Sequence, residues 1–140
     1  MKYAKSLIGA VLSASVLLSS AVMAENHEVN AEVTAFNPIV IKIAPGDTVS
    51  WTNMAGHTVH TLAEYLPAGA EGFQSQMGED YQTKPLTVEG AYFYKCDPHW
   101  GMGMGGVIIV GTPTNMDDVK ALKPKGSAKR LYKKAVKALK

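Results

Sequence analysis

The chain has 140 residues and a formal net charge of +2, which is room for one domain and too balanced for a dedicated nucleic-acid binder. A hydrophobic fraction of 46% against 19% charged residues excludes wholesale disorder, and a single cysteine excludes an internal disulfide scaffold. The first 24 residues read as a targeting segment. Lys2 and Lys5 precede an apolar run over residues 7–18, and Val22-Met23-Ala24 places small residues for cleavage after Ala24. The run falls short of the roughly 20 apolar residues that a membrane span needs, so no stable membrane insertion is expected. Cleavage leaves 116 residues of zero formal charge, exported to the periplasm. That compartment is oxidising, so an odd cysteine there needs an explanation.

In residues 28–34, Val29, Ala31 and Val33 alternate as in a half-buried strand. Residues 39–43 follow, then a Pro45-Gly46-Asp47 turn and a strand over 48–52 with Val49 and Trp51 on one face. Residues 57–62, 85–88, 91–95 and 107–110 read as further strands, and 64–82 mainly as connection. Short strands at turn-punctuated intervals predict an all-β sandwich or barrel. Beyond Gly111, Thr114-x-x-Asp117 predicts a helix start and Pro124 its stop. Ser127 is the expected cap of a second helix, whose Leu131, Ala135 and Leu139, with Ala128 and Tyr132 beside them, form a stripe that packs on the sandwich. Charge divides at this boundary: residues 25–116 hold ten acids against three lysines, and 117–140 hold nine basic residues against two acids. The basic run reads as a solvated helix face with lysines favoured toward the helix C-terminus, rather than as a membrane-binding tail.

Residues 96–104 compress a thiol, an imidazole and two thioethers into nine positions: Cys96, His99, Met102 and Met104. All are soft or borderline metal ligands. Pro98 stiffens the chain between Cys96 and His99, and Gly101, Gly103, Gly105 and Gly106 permit tight turns. A further ligand must come from elsewhere; His57, after Gly56, is the best candidate, and His60 competes with it. Residues three apart on a strand face opposite sides, so only one of the two reaches the site. Spacing alone does not choose between Met102 and Met104. A thiolate, two imidazoles and a weak thioether form a blue-copper set, suited to one-electron transfer. The Met-Gly-Met pair also suits a copper carrier or sequestering protein that exchanges Cu(I). A structural zinc site would leave Met104 unexplained. A copper oxidase needs an open coordination position or further copper atoms, and the sequence offers no second histidine cluster, His27 and His60 being the only spare histidines; no hydrolase triad spacing is visible. His27 is expected to be solvated beside the new N-terminus, Met54 and Met77 to fill packing gaps, and Trp51 to lie in the core.

Cys96-x-x-His99 followed by Met104 resembles the copper loop of the cupredoxins. The Cys-to-Met spacing of eight, the Met102-Gly103-Met104 ending and two C-terminal helices resemble the pseudoazurin branch in particular. Residues 44–49 followed by Gly56-His57 are similar to the family segment ahead of the first ligand histidine. The resemblance spans residues 25–140. It implies a Greek-key β-sandwich over 25–111 with two C-terminal α-helices over 112–140. It also implies one type 1 copper ion per chain on His57, Cys96, His99 and Met104, with Thr58 and Pro98 supporting these ligands. The implied function is electron transport by a periplasmic monomer that is not an enzyme. A nitrite reductase-like acceptor in denitrification and a cytochrome or quinol-linked donor are the implied partners. Electrons would pass the edge of His99 through a docking patch of Pro98, Trp100 and Met102, with Lys95 steering an acidic partner. Two departures stand out. Thr58 occupies a position where the family often has a bracing Asn, and only Lys95 and Lys84 stand in for the several lysines common around the copper edge.

Overall fold

The computed structural model describes residues 23–140; the expected signal segment lies, up to residue 22, outside the described residues. Eight strands form two four-stranded sheets. The first has the order β2 (Phe36–Asn37), β1 (Asn26–Ala31), β4 (Thr48–Thr52), β6 (Tyr81–Gln82). The second has the order β3 (Val40–Ile43), β8 (Gly105–Val110), β7 (Gly90–Lys95), β5 (His60–Thr61). The β1–β4 and β3–β8 pairs are parallel and the remaining pairs antiparallel. The chain changes sheet at every connection from β2 to β7, and only β1–β2 and β7–β8 are consecutive strands within one sheet, the crossing connections of a Greek-key sandwich.

Strand sequence explains strand position. In β4, Val49 and Trp51 point inward and are fully buried, while Thr48, Ser50 and Thr52 face outward. The hydroxyls of Thr48 and Ser50 donate to Asn26 on the neighbouring strand at 2.8 and 2.9 Å. By contrast, every residue of β8 is buried, as an unbroken apolar run requires of a strand covered on both faces. Its alternation, with that of β7, divides the interior in two. Tyr92, Tyr94, Ile108 and Val110 enter a core between the sheets with Trp51 and Phe36. Ala91, Phe93, Val107 and Ile109 enter a second core beneath the helices α1 (Met116–Ala121) and α2 (Gly126–Ala138), against Val119, Ala128, Leu131 and Ala135.

Several expected elements differ. Residues 85–88 form no strand, whereas Tyr81–Gln82 in the expected connection does pair, with β4. Val33 lies beyond β1 and is 85% exposed, so only Val29 and Ala31 of that alternation face inward. Met77 is exposed, while Met54 is buried. Neither expected cap forms. The Thr114 hydroxyl donates to Glu89 O at 3.2 Å. Ser127 lies inside α2, after Lys125 at the N-cap. Asn115 anchors the tail instead: buried, it accepts from Ala91 N–H at 2.7 Å and donates to Tyr65 O and Ala91 O at 2.8 and 2.9 Å. A buried amide is stable only when so partnered. Leu139 lies just past α2 and is more exposed than Leu131 and Ala135.

Candidate metal centre

One end of the sandwich gathers two loops, residues 53–59 and 96–104. Gly56, at φ +79°, makes the left-handed step of a turn closed by His57 N–H on Met54 O at 2.8 Å. That turn aims His57 at the second loop. Cys96 follows β7 directly, and its own N–H donates to Met104 O at 3.0 Å. His99 N–H donates to Cys96 O at 3.2 Å, and Met104 N–H to His99 O at 3.2 Å. A short 3₁₀ turn, Trp100–Met102, ends at Gly103 with φ +84°. The backbone is thus closed on itself around the side chains it presents.

The Nδ1 atoms of His57 and His99 are 3.1 Å apart, and Cys96 Sγ is 3.6 and 3.5 Å from them. The point equidistant from these donors is about 2 Å from each, close to a metal–imidazole bond. The donor set therefore fits a copper ion by distance as well as by softness. It is the one such His/Cys/acid cluster among the described residues. Cys96 is fully buried, His57 is 7% exposed and His99 half-buried. Burial, and secondarily the neighbouring His99, pushes the pKa of His57 down, favouring the neutral form that donates a lone pair. Met104 is fully buried in the same core as Cys96, whereas Met102 is 58% exposed on the rim.

Thr58 joins the two loops. Its N–H lies 3.5 Å from Cys96 Sγ. Its hydroxyl accepts from Asp97 N–H at 2.9 Å and donates to Asp97 Oδ2 at 3.2 Å. His60 does not reach the cluster; its Nδ1 is 3.3 Å from both Asp97 oxygens. Lys95 Nζ sits 3.0 Å from Asp97 Oδ1. Partial burial raises the Asp97 pKa, but the hydrogen bonds from Lys95 and His60 outweigh it and hold the carboxyl below its usual value. Asp97 was missed in the sequence, although its place between Cys96 and Pro98 marked it as part of the loop. Pro98 is exposed, and Trp100 is half-buried against the outer core. A shallow recess lined by Asn30, Glu32, Val33, Ala55, His57 and His99 opens at this edge, giving the exposed Val33 a place beside the site. His27 is far from solvated disorder: it lies in β1 with Nε2 2.8 Å from Asp47 Oδ2, because Asp47 is buried and needs donors.

Residues 23–111 match the family of copper-binding proteins of the plastocyanin/azurin type. A provisionally named pseudoazurin of Rhizobium leguminosarum bv. viciae is 38% identical, with 88% of each chain covered. The pseudoazurin of Paracoccus pantotrophus is 35% identical over 89% of this chain and 91% of its own. The structure of a pseudoazurin from Sinorhizobium meliloti superposes with a TM-score of 0.69 at 34% identity, covering 77% of this chain and 94% of that one. With two sheets, two C-terminal helices and a His-Cys-His cluster at one end, the chain belongs to the plastocyanin/azurin family of copper-binding proteins, and within it to the pseudoazurins.

Proposed function

We propose that this protein is a periplasmic type 1 copper electron carrier holding one ion on His57, Cys96, His99 and Met104. The observation that carries the reading is the convergence of two imidazole Nδ1 atoms and one thiol within 3.6 Å, one imidazole reaching the surface. Burial favours Met104 over Met102 as the fourth ligand, because Met104 shares the core of Cys96. Bound copper supplies a one-electron couple between its +1 and +2 states. The chain's contribution is rigidity. The bonds Cys96 N–H to Met104 O, Met104 N–H to His99 O and Thr58 to Asp97 fix the donors before any electron moves. Donors that do not rearrange keep the reorganisation barrier low. The N–H of Thr58 stabilises negative charge on the sulfur, and such contacts tune the potential. Membership of the pseudoazurins supports a carrier rather than an enzyme.

In this reading a signal segment is cleaved after Ala24, and the mature domain, 25–140, works in the periplasm as a monomer. Electrons cross the half-buried edge of His99 through a patch of Pro98, Met102 and the accessible part of Trp100. Lys95 shares its charge with Asp97, so it orients a partner more than it attracts one. Small patches of this kind suit short-lived redox encounters, with a nitrite reductase-like acceptor and a cytochrome or quinol-linked donor as partners. A copper carrier that exchanges its ion is opposed by the complete burial of Cys96 and Met104. The test is the visible spectrum of the mature protein with Cu(II). Intense thiolate-to-copper absorption, lost in Cys96→Ser, is expected; weak absorption, or colour that survives Cys96→Ser, sinks the reading.

A further inference from the structure

Helix α2 does more than cover the second sheet. Its first two turns reach the loop that carries Met104. Ser127 Oγ donates to Trp100 O at 3.3 Å, and the Arg130 guanidinium donates to Gly103 O. Gly103 immediately precedes Met104, so the peptide unit joining them is held at both ends: its oxygen by Arg130, its N–H by His99 O at 3.2 Å. Glycine at this position leaves room for the guanidinium. A Cβ on Gly103 would come within 2.7 Å of Arg130 Nη2, and at φ +84° it would be strained in any case. Leu131, the next helix residue, is fully buried and seats the helix; a Cβ on Gly105 would approach its Cδ1 to 3.0 Å and Tyr94 O to 2.6 Å.

We infer that Arg130, assisted by Ser127, is a positioning residue for the copper site, a latch from α2 that sets the orientation of the Gly103–Met104 peptide and through it the thioether of Met104. The inference rests on Met104 being the fourth ligand, as proposed above. A guanidinium suits the task because its planar fork of donors is stiff, where a lysine ammonium is a flexible point charge. A charge-assisted bond of this type is among the stronger ones available to a surface side chain. In a blue-copper site the weak thioether ligand tunes the metal, so a shift of Met104 would be visible in the electronic signature of bound copper.

The test compares Arg130→Ala, Arg130→Lys and Ser127→Ala with Lys129→Gln, which removes a neighbouring charge on the same helix. In the copper-loaded proteins, Arg130→Ala should change the intensity ratio of the thiolate-to-copper bands, the rhombicity of the electron paramagnetic resonance spectrum and the reduction potential. Arg130→Lys should restore these in part, Ser127→Ala should move them less, and Lys129→Gln should leave them at the wild-type values. In the metal-free proteins, hydrogen exchange at the Met104 amide should quicken by about tenfold or more in Arg130→Ala, the order expected for losing one charge-assisted hydrogen bond. Wild-type spectra, potential and Met104 exchange in Arg130→Ala would overturn the inference, as would an equal effect from Lys129→Gln. If the wild type itself takes up copper without intense colour, the ligand assignment fails, and the exchange experiment still decides whether the latch exists.

Discussion

The two cores of this molecule share β7 and β8 but have different duties. The core between the sheets is aromatic: Trp51 packs at tilted and edge-on angles against Phe73, Tyr81 and Tyr94, with ring centroids 5.5, 6.0 and 5.1 Å away, and Phe36 lies 5.3 Å from Tyr94. Burial there pushes the Tyr94 phenol far above its usual pKa. Cys96 and Met104 are members of this core. The outer core, under α1 and α2, is built mainly from aliphatic residues and alanine around Phe93 and Leu131. It holds none of the proposed ligands, yet its helix grips the loop that carries three of them, Cys96, His99 and Met104. Donors are thus supplied from one side of the second sheet and held from the other.

The largest stability loss is expected in the inner core. Trp51→Ala should cost about 3–5 kcal/mol, measured by denaturant unfolding, since collapse cannot refill so large a void. In the outer core, Leu131→Ala should cost about 2–5 kcal/mol. It should also bleach the copper colour at a lower temperature than that at which the sheets unfold, because α2 loosens before the strands do. If colour and circular dichroism are lost together in Leu131→Ala, the division of duties between the cores is wrong. A smaller effect sharpens the same comparison at the loop junction. Thr58→Val removes the hydroxyl between the loops and leaves Asp97 N–H without that partner, at about 1–3 kcal/mol, while keeping the backbone contact to Cys96 and therefore the colour.

The smallest and most distant effect concerns Asp47. The N–H of Glu25 foremost, then His27 and Ala44 N–H, hold its carboxyl below the ordinary value of 3.8 against the opposing pull of desolvation. A depressed folded-state pKa means that this stabilisation is complete above the unfolded value and is lost as pH falls through the lower folded one. Asp47→Asn should therefore flatten the acid limb of stability below about pH 4 while leaving the copper spectrum unchanged at neutral pH. An unaltered acid limb would show that Asp47 does not govern it.

Much of the site was legible because it is local. Cys96, His99, Met102 and Met104 lie in one loop, and soft donors at that density have few other uses. The β4 and β8 patterns were legible for a similar reason, since alternation and unbroken apolarity are direct records of one-sided and two-sided burial. The misreadings cluster where side chains choose distant partners. Thr114 and Ser127 resemble helix caps, but their hydroxyls bond Glu89 O and Trp100 O instead. His27 looked terminal and free until Asp47, twenty positions away, took it as a donor. The two-residue strand Tyr81–Gln82 has no periodicity to read; it exists because β4 offers it an edge.

By itself the sequence determined the chemistry: a thiolate, imidazoles and thioethers in a chain of alternating strands, with a basic amphipathic tail. Tertiary structure decided which of those groups meet. It brought His57 to the loop from 39 residues upstream of Cys96 and turned His60 toward Asp97 instead. It buried Met104 and exposed Met102, and it set Arg130 against Gly103. Ligand type is a property of single residues, whereas distance, burial and latch contacts arise only when two sheets and a helix close on one another.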